Sequence, residues 1–84
     1  MNKYLITVIV PAIDYTFDIK VPNNRKIGTI KKILLSELSQ LSNGSYNLDF
    51  NDMRIVDRDS GTEYSNDMYI KDSKIVNGSK IVMI

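Results

Sequence analysis

At 84 residues, 43% apolar and 25% charged, the chain is the size of one domain, 1–84, too small to enclose a deep active site. A net charge of +1 removes the electrostatic drive that nucleic acid or an anionic membrane surface would supply. Cysteine and histidine are both absent, which excludes a disulfide framework, a thiol nucleophile, a zinc finger and an imidazole acid–base pair.

Tyr4 to Val10 is almost wholly apolar and rich in β-branched residues. That composition predicts a strand buried on both faces or nearly so. The run is too short to cross a bilayer and lacks a small-residue cleavage site, so neither a membrane span nor a secretory leader is expected. No other stretch approaches a span, and the expected location is the cytoplasm. Pro11 begins a turn through Asp14. Tyr15 to Val21 then alternates, with Tyr15, Phe17, Ile19 and Val21 on one side and Thr16, Asp18 and Lys20 on the other. This is a half-buried strand, close enough to the first to pair as a hairpin.

Pro22 ends that strand, because it cannot donate to a sheet ladder. From Ile27 the apolar period changes from 2 to about 3.6. Ile27, Ile30, Leu34, Leu38 and Leu41 fall on one stripe with Ile33 beside it, while Lys31, Lys32, Ser36 and Gln40 lie away from it. Gly28 weakens the first turn. Asn43-Gly44 is a stop signal, since glycine accepts the left-handed position after a helix. The spacing therefore predicts one amphipathic helix of about four turns.

Met53 to Val56 reads as a short strand, Asp57 to Gly61 as a turn, and Thr62 to Tyr64 as a further short strand. Met68 to Lys74 reads as a loop with a helical turn. Asn77-Gly78 turns the chain into a last strand, Lys80 to Ile84. A single helix following an N-terminal hairpin packs across one face of a mixed sheet, and the crossover places the last strand beside the first, in parallel. The expected fold is α+β: a β-grasp, with a mixed sheet of four to five strands and one amphipathic helix packed across one face.

With these elements in place the chain resembles ubiquitin. "YTFDIKVP" followed by "IGTIKKIL" has the strand and helix spacing of ubiquitin, and "YIKDSKIVNGSKIVMI" resembles its ending. The Asp72, Ile75, Gly78 pattern, with "FDIKVP" and "MRIVDRD", is similar to the YukD/EsaB family of bacterial ubiquitin-like accessory proteins of type VII (WXG-type) secretion systems. The same three residues also shape the loop and turn before the last strand. The resemblance implies a non-enzymatic, cytoplasmic interaction module of Gram-positive bacteria. It implies noncovalent docking to protein partners, among them the cytosolic domains of the system's membrane components.

Conjugating and sulfur-carrying relatives use a flexible Gly-Gly tail, because only glycine threads the channel of an adenylating enzyme. The residues at the end here are Met83 and Ile84, so conjugation and sulfur transfer are not expected. A modifier whose Gly-Gly tail is missing from this sequence stays as the weaker alternative. A structural or homodimerising β-grasp domain using a sheet edge is the other, and the expected state is a monomer or weak homodimer.

Chemistry elsewhere is thin. "DRDSGTE" has closely spaced carboxylates, but Gly61 and Met68 stand where a calcium loop needs ligands. Asp14, Asp18 and Glu37 have no pocket that would shift a carboxylate toward acid–base work, and the serines have no base. No metal, cofactor or catalytic residue is expected. Lys20, Arg25, Lys26, Lys31 and Lys32 cluster near the helix start and read as a solvated face; no aromatic residue interleaves with them, so no single-stranded nucleic acid is expected. The sheet face opposite the helix is the better surface. There Leu5, Thr7 and Ile9 of the first strand join Val82 and Ile84 of the last and Val56 of the third in an apolar patch, the expected protein-binding site.

Overall fold

The computed structural model describes residues 2–41 and 49–84. Strand β1 (Lys3–Val10) and strand β2 (Tyr15–Pro22) form an antiparallel hairpin. Its corner is a 3-10 turn at Pro11–Ile13, closed by Asp14 in the left-handed conformation, whose N–H donates to the Pro11 carbonyl at 3.1 Å. Proline suits the first position of such a turn, where its missing N–H costs nothing. The register runs unbroken from Lys3 opposite Pro22 to Val10 opposite Tyr15, so Pro22 is the last strand residue and not the first beyond it.

Helix α1 (Ile27–Leu41) follows. Its first amides, which no helix can satisfy internally, donate to the chain ahead: Ile27 N–H to Met68 O at 2.8 Å and Gly28 N–H to Asn66 O at 2.9 Å. Ile27, Ile30, Leu34 and Leu38 are buried at the predicted spacing. Each fully buried side chain of this size stabilises the fold by about 1.5–3 kcal/mol. Leu41, expected on the same stripe, is exposed at the end of the described helix. The Asn43-Gly44 stop signal lies outside the described residues.

Strand β3 is Ile55–Asp57, two residues later than expected at its start, and a 3-10 turn at Phe50–Asp52 precedes it. Thr62–Tyr64 does not form a full strand. It closes the outer edge of β3 through a single bridge between Val56 and Glu63, with Asp57 N–H donating to Thr62 O and Tyr64 N–H to Ile55 O. A 3-10 turn at Ile70–Asp72 supplies the predicted helical turn. Strand β4 (Lys80–Met83) pairs parallel with β1 and antiparallel with β3. The four-stranded order is β2-β1-β4-β3.

Every second residue of the inner strands meets the helix. Ile6, Val8, Val10, Ile81 and Met83 form the core with α1, Val21, Met53, Ile55, Tyr64, Ile70 and Ile75. Toward β2 the cover thins: Phe17 and Ile19 are only half-buried and Tyr15 is exposed. This is the architecture the element order predicts, a mixed sheet with one helix across one face.

Candidate functional site

Strand register decides which side chains stand together on the face away from the helix. Ile9 of β1 lies opposite Val82 of β4, and Val82 opposite Val56 of β3. Their sequence neighbours Val8, Val10, Ile81, Met83 and Ile55 are buried beneath. The three are half-buried and form one apolar row across three strands, continued on β2 by Thr16. Ile84 stands two residues beyond Val82 and is 44% exposed. Its amide and carbonyl are engaged by Arg54, at 3.0 and 2.8 Å.

The other two expected residues stand apart from this row. Thr7 is opposite Lys80 and Asp18 and donates its hydroxyl to an Asp18 carboxylate oxygen at 2.7 Å, so it presents a polar bond and not an apolar surface. Leu5 is exposed beyond that polar row, beside Lys3, Lys20 and Asn77. Its N–H is taken by the Asn77 side chain at 2.7 Å, and its carbonyl accepts from Gly78 N–H, also at 2.7 Å. Gly78 adopts φ 93 there, a conformation that disfavours any residue with a Cβ.

The apolar row has charged margins that the sequence reading did not include. On one side Lys80 flanks Val82, and Arg58 stands against it, its N–H donating to the Lys80 carbonyl at 3.3 Å. On the other side Arg54 flanks Ile84, loosely paired with Glu63 at 3.8 Å. Both members of that pair are more than half exposed, so the pair holds little energy and either side chain is free to turn to a partner. The signal was present in the strands: Arg54 and Arg58 share the parity of Val56, and Lys80 that of Val82. What was missing was the register that brings β3 and β4 side by side.

The basic cluster near the helix start does not hold together. Lys31, expected on the solvated side, is 4% exposed. Its ammonium donates to the carbonyls of Phe50 at 3.0 Å and Met53 at 2.6 Å, and lies 4.3 Å from the centre of the Phe50 ring. Burial pushes its pKa down, and the charge of Glu63 works in the opposite direction. Lys20 projects from β2, and Lys26 lies over the Tyr69 ring at 5.8 Å.

A cleft of about 560 Å³ beside Lys31 is lined by Arg54, Glu63, Tyr64 and Asp67 among others. Its lysine is committed to two carbonyls. In the "DRDSGTE" turn, Asp57 accepts from the N–H and the hydroxyl of Ser60, both at 2.9 Å. Those bonds hold its carboxyl below the usual carboxylate range. The carboxylate shapes its own turn. Tyr64, buried and close to that carboxylate, has its phenol pushed up. Among the described residues no helix is long and apolar enough to cross a membrane.

No protein-family model matches the chain, and no curated protein matches it by sequence. Solved structures do. The ubiquitin-like domain of an Arabidopsis thaliana protein superposes with a TM-score of 0.71 at 19% identity, covering 100% of this chain and 78% of that one. A chain of the MycP5-free ESX-5 inner membrane complex gives a TM-score of 0.80 at 10% identity, covering 100% of this chain and 21% of that one. The ubiquitin of Caldiarchaeum subterraneum gives 0.70 at 14% identity, covering 98% and 91%. At such identities the likeness speaks for the fold alone. The chain has the ubiquitin-like β-grasp fold.

Proposed function

We propose that this protein is a non-enzymatic docking module that binds protein partners noncovalently through the outer face of its sheet. The observation that carries this reading is the row Ile9–Val82–Val56, extended by Ile84 and bordered by Lys80, Arg58 and Arg54. An apolar centre with a charged rim is the usual anatomy of a protein interface. Three basic side chains outnumber the one carboxylate at this margin, Glu63, which stands opposite Val56 and pairs with Arg54, so the rim favours a partner segment that is apolar with acidic neighbours.

The setting we propose is a bacterial type VII secretion system, with the protein acting in the cytoplasm on components of the membrane apparatus. Two things support this setting. The sequence resembles the YukD/EsaB accessory family, and the fold recurs within a chain of an inner membrane complex at a TM-score of 0.80.

The test is a tagged pulldown from gently crosslinked native cells, read by mass spectrometry, with wild type and Val82→Asp as parallel baits. Membrane-apparatus subunits captured by the wild type and lost by a folded Val82→Asp bait support the proposal. Equal capture by both baits removes this face from consideration. A ladder of tagged species that survives denaturation without crosslinker means covalent conjugation and overturns the noncovalent mechanism.

A further inference from the structure

The two edges of the sheet are unlike. At the β3 edge, residues 62–64 occupy the outer hydrogen-bonding groups. The β2 edge runs for eight residues with no bulge, and no described segment pairs with its outer side. Long open edges are ordinarily guarded by bulges, inward-pointing charges, proline or charged side chains along the strand, and β2 has only the last of these within its length, one charge of each sign. Here Pro22 stands only at the strand's end, and both charges, Asp18 and Lys20, are on the outer face.

The phase of the hairpin shows which groups are open. Asn23 N–H donates to Asn2 O at 2.9 Å, while Thr7 N–H and Leu5 O are turned toward the β4 side. Antiparallel pairs alternate between bonded and non-bonded. Tyr4, Ile6 and Val8 therefore face β2 and engage Val21, Ile19 and Phe17. The N–H and C=O groups of Thr16, Asp18 and Lys20 point out of the sheet, with the carbonyl of Pro22.

We propose that β2 pairs antiparallel with β2 of a second copy of this chain, about a two-fold axis at Ile19, joining the two sheets into one. In such a ladder each residue whose bonding groups point outward must face another of the same kind, with the non-bonded pairs falling between them, so the permitted registers move in steps of two. With Ile19 opposite Ile19, each Asp18 faces the other copy's Lys20 and the pair exchanges both backbone hydrogen bonds. Thr16 adds one to the Pro22 carbonyl. A step either way sets Asp18 against Asp18 or Lys20 against Lys20, and like charges directly opposite are unfavourable. Charge complementarity thus selects a second copy and a single register. On the helix side, the half-buried Phe17 and Ile19 gain cover. The β2 edge meets the outer-face row only at Thr16, and Ile9, Val82 and Val56 lie on other strands, so failure of either proposal leaves the other standing.

Sedimentation equilibrium from ~10 µM to ~1 mM tests the association. The expected result is a reversible monomer–dimer equilibrium. Asp18→Lys and Lys20→Asp each put like charges opposite and weaken it about tenfold or more. An equimolar mixture of the two variants restores opposite charges at both positions and associates nearly as well as the wild type. Circular dichroism checks the fold, because Asp18→Lys also removes the bond from Thr7.

A second test does not depend on charge. The chain has no cysteine, so Ile19→Cys introduces one thiol, about 4.5 Å in Cα distance from its counterpart across the axis, within disulfide reach. Phe17→Cys places the two thiols about 14 Å apart in this register. Oxidation is expected to crosslink the first variant and not the second. A chain that stays monomeric throughout overturns the proposal. So does a dimer indifferent to the charge swaps, or equal crosslinking at both positions. Protection of the β2 amides only by an added extended peptide would assign the edge to a different strand, and would also overturn it.

Discussion

The ammonium nitrogen of Lys31 lies 2.6 Å from the carbonyl oxygen of Met53, and it holds the turn before β3 against the second turn of the helix. The aliphatic stem is buried, and the charge sits between two carbonyls and the Phe50 ring. Lys31→Met keeps the volume and takes the lysine donor from one buried acceptor, Met53 O, and one half-buried acceptor, Phe50 O. We expect a loss of about 2–3 kcal/mol, read as a lower urea midpoint with an unchanged slope. The pKa of Lys31 is lowered in the fold, so the unfolded chain binds more protons in the window just below 10.5. Stability from this group therefore rises with pH there, and the gap between wild type and Lys31→Met should widen as pH climbs toward that value. A gap that narrows would mean the fold favours the ammonium.

Gly28 is in the first turn of α1, where alanine would ordinarily gain about 1 kcal/mol. A Cβ at this position would lie 3.1 Å from the Asn66 carbonyl and 3.3 Å from the Asn66 Cβ. That same carbonyl accepts the Gly28 N–H, so it cannot move away without losing a bond. Gly28→Ala is expected to lower stability by about 1 kcal/mol net, seen as a fall in Tm. A rise in Tm would show that the loop relaxes at no cost.

Asp57 titrates below the usual 3.8 because Ser60 donates to it twice. A depressed carboxyl pKa contributes stability above the unfolded value, and that contribution disappears as pH falls through the folded one. Carboxyl carbon shifts followed by NMR should put the Asp57 midpoint under 3.8. Ser60→Ala, which retains the N–H but not the hydroxyl, should move it partway back. An unmoved midpoint would leave the hydroxyl without a role in this turn.

The charged margin of the sheet face should act on association more than on folding. Lys80→Glu and Arg58→Glu are exposed changes and are expected to leave the urea midpoint within about 0.5 kcal/mol. Against a captured partner they should slow the on-rate roughly three- to tenfold and flatten its dependence on salt. Unchanged on-rates would confine the interface to the apolar row.

Much of the architecture was legible because periodicity is local. The alternation from Tyr15 to Val21 and the 3.6-residue stripe from Ile27 to Leu38 each name a face to bury, and burial is what the tertiary fold then supplies. Two solid backbone cues, Pro11 and Asn77-Gly78, marked corners that the structure makes. Element ends moved where distant partners intervened. Thr62–Tyr64 has one bridge to β3 and no ladder.

The candidate site was half legible. Alternation alone assigned Ile9, Val56 and Val82 to the outer face. It could not say that Thr7 would spend its hydroxyl on Asp18, or that Leu5 would stand apart beyond them.

By itself, then, the sequence determined most of the elements and the buried stripe, which follow from side-chain spacing within one segment, and the β-grasp order, which follows from the element sequence and the handedness of the crossover. Three matters were decided only by tertiary structure. Lys31 is buried because carbonyls 19 and 22 residues away come within its reach. Arg54, Arg58 and Lys80 border one apolar row because β3 and β4 pair in one register. The β2 edge has no partner among the described residues because the strand order puts β2 at the end of the sheet, while residues 62–64 close the β3 end. Each depends on contact between residues far apart in the chain, and a one-residue change of register would undo the last two.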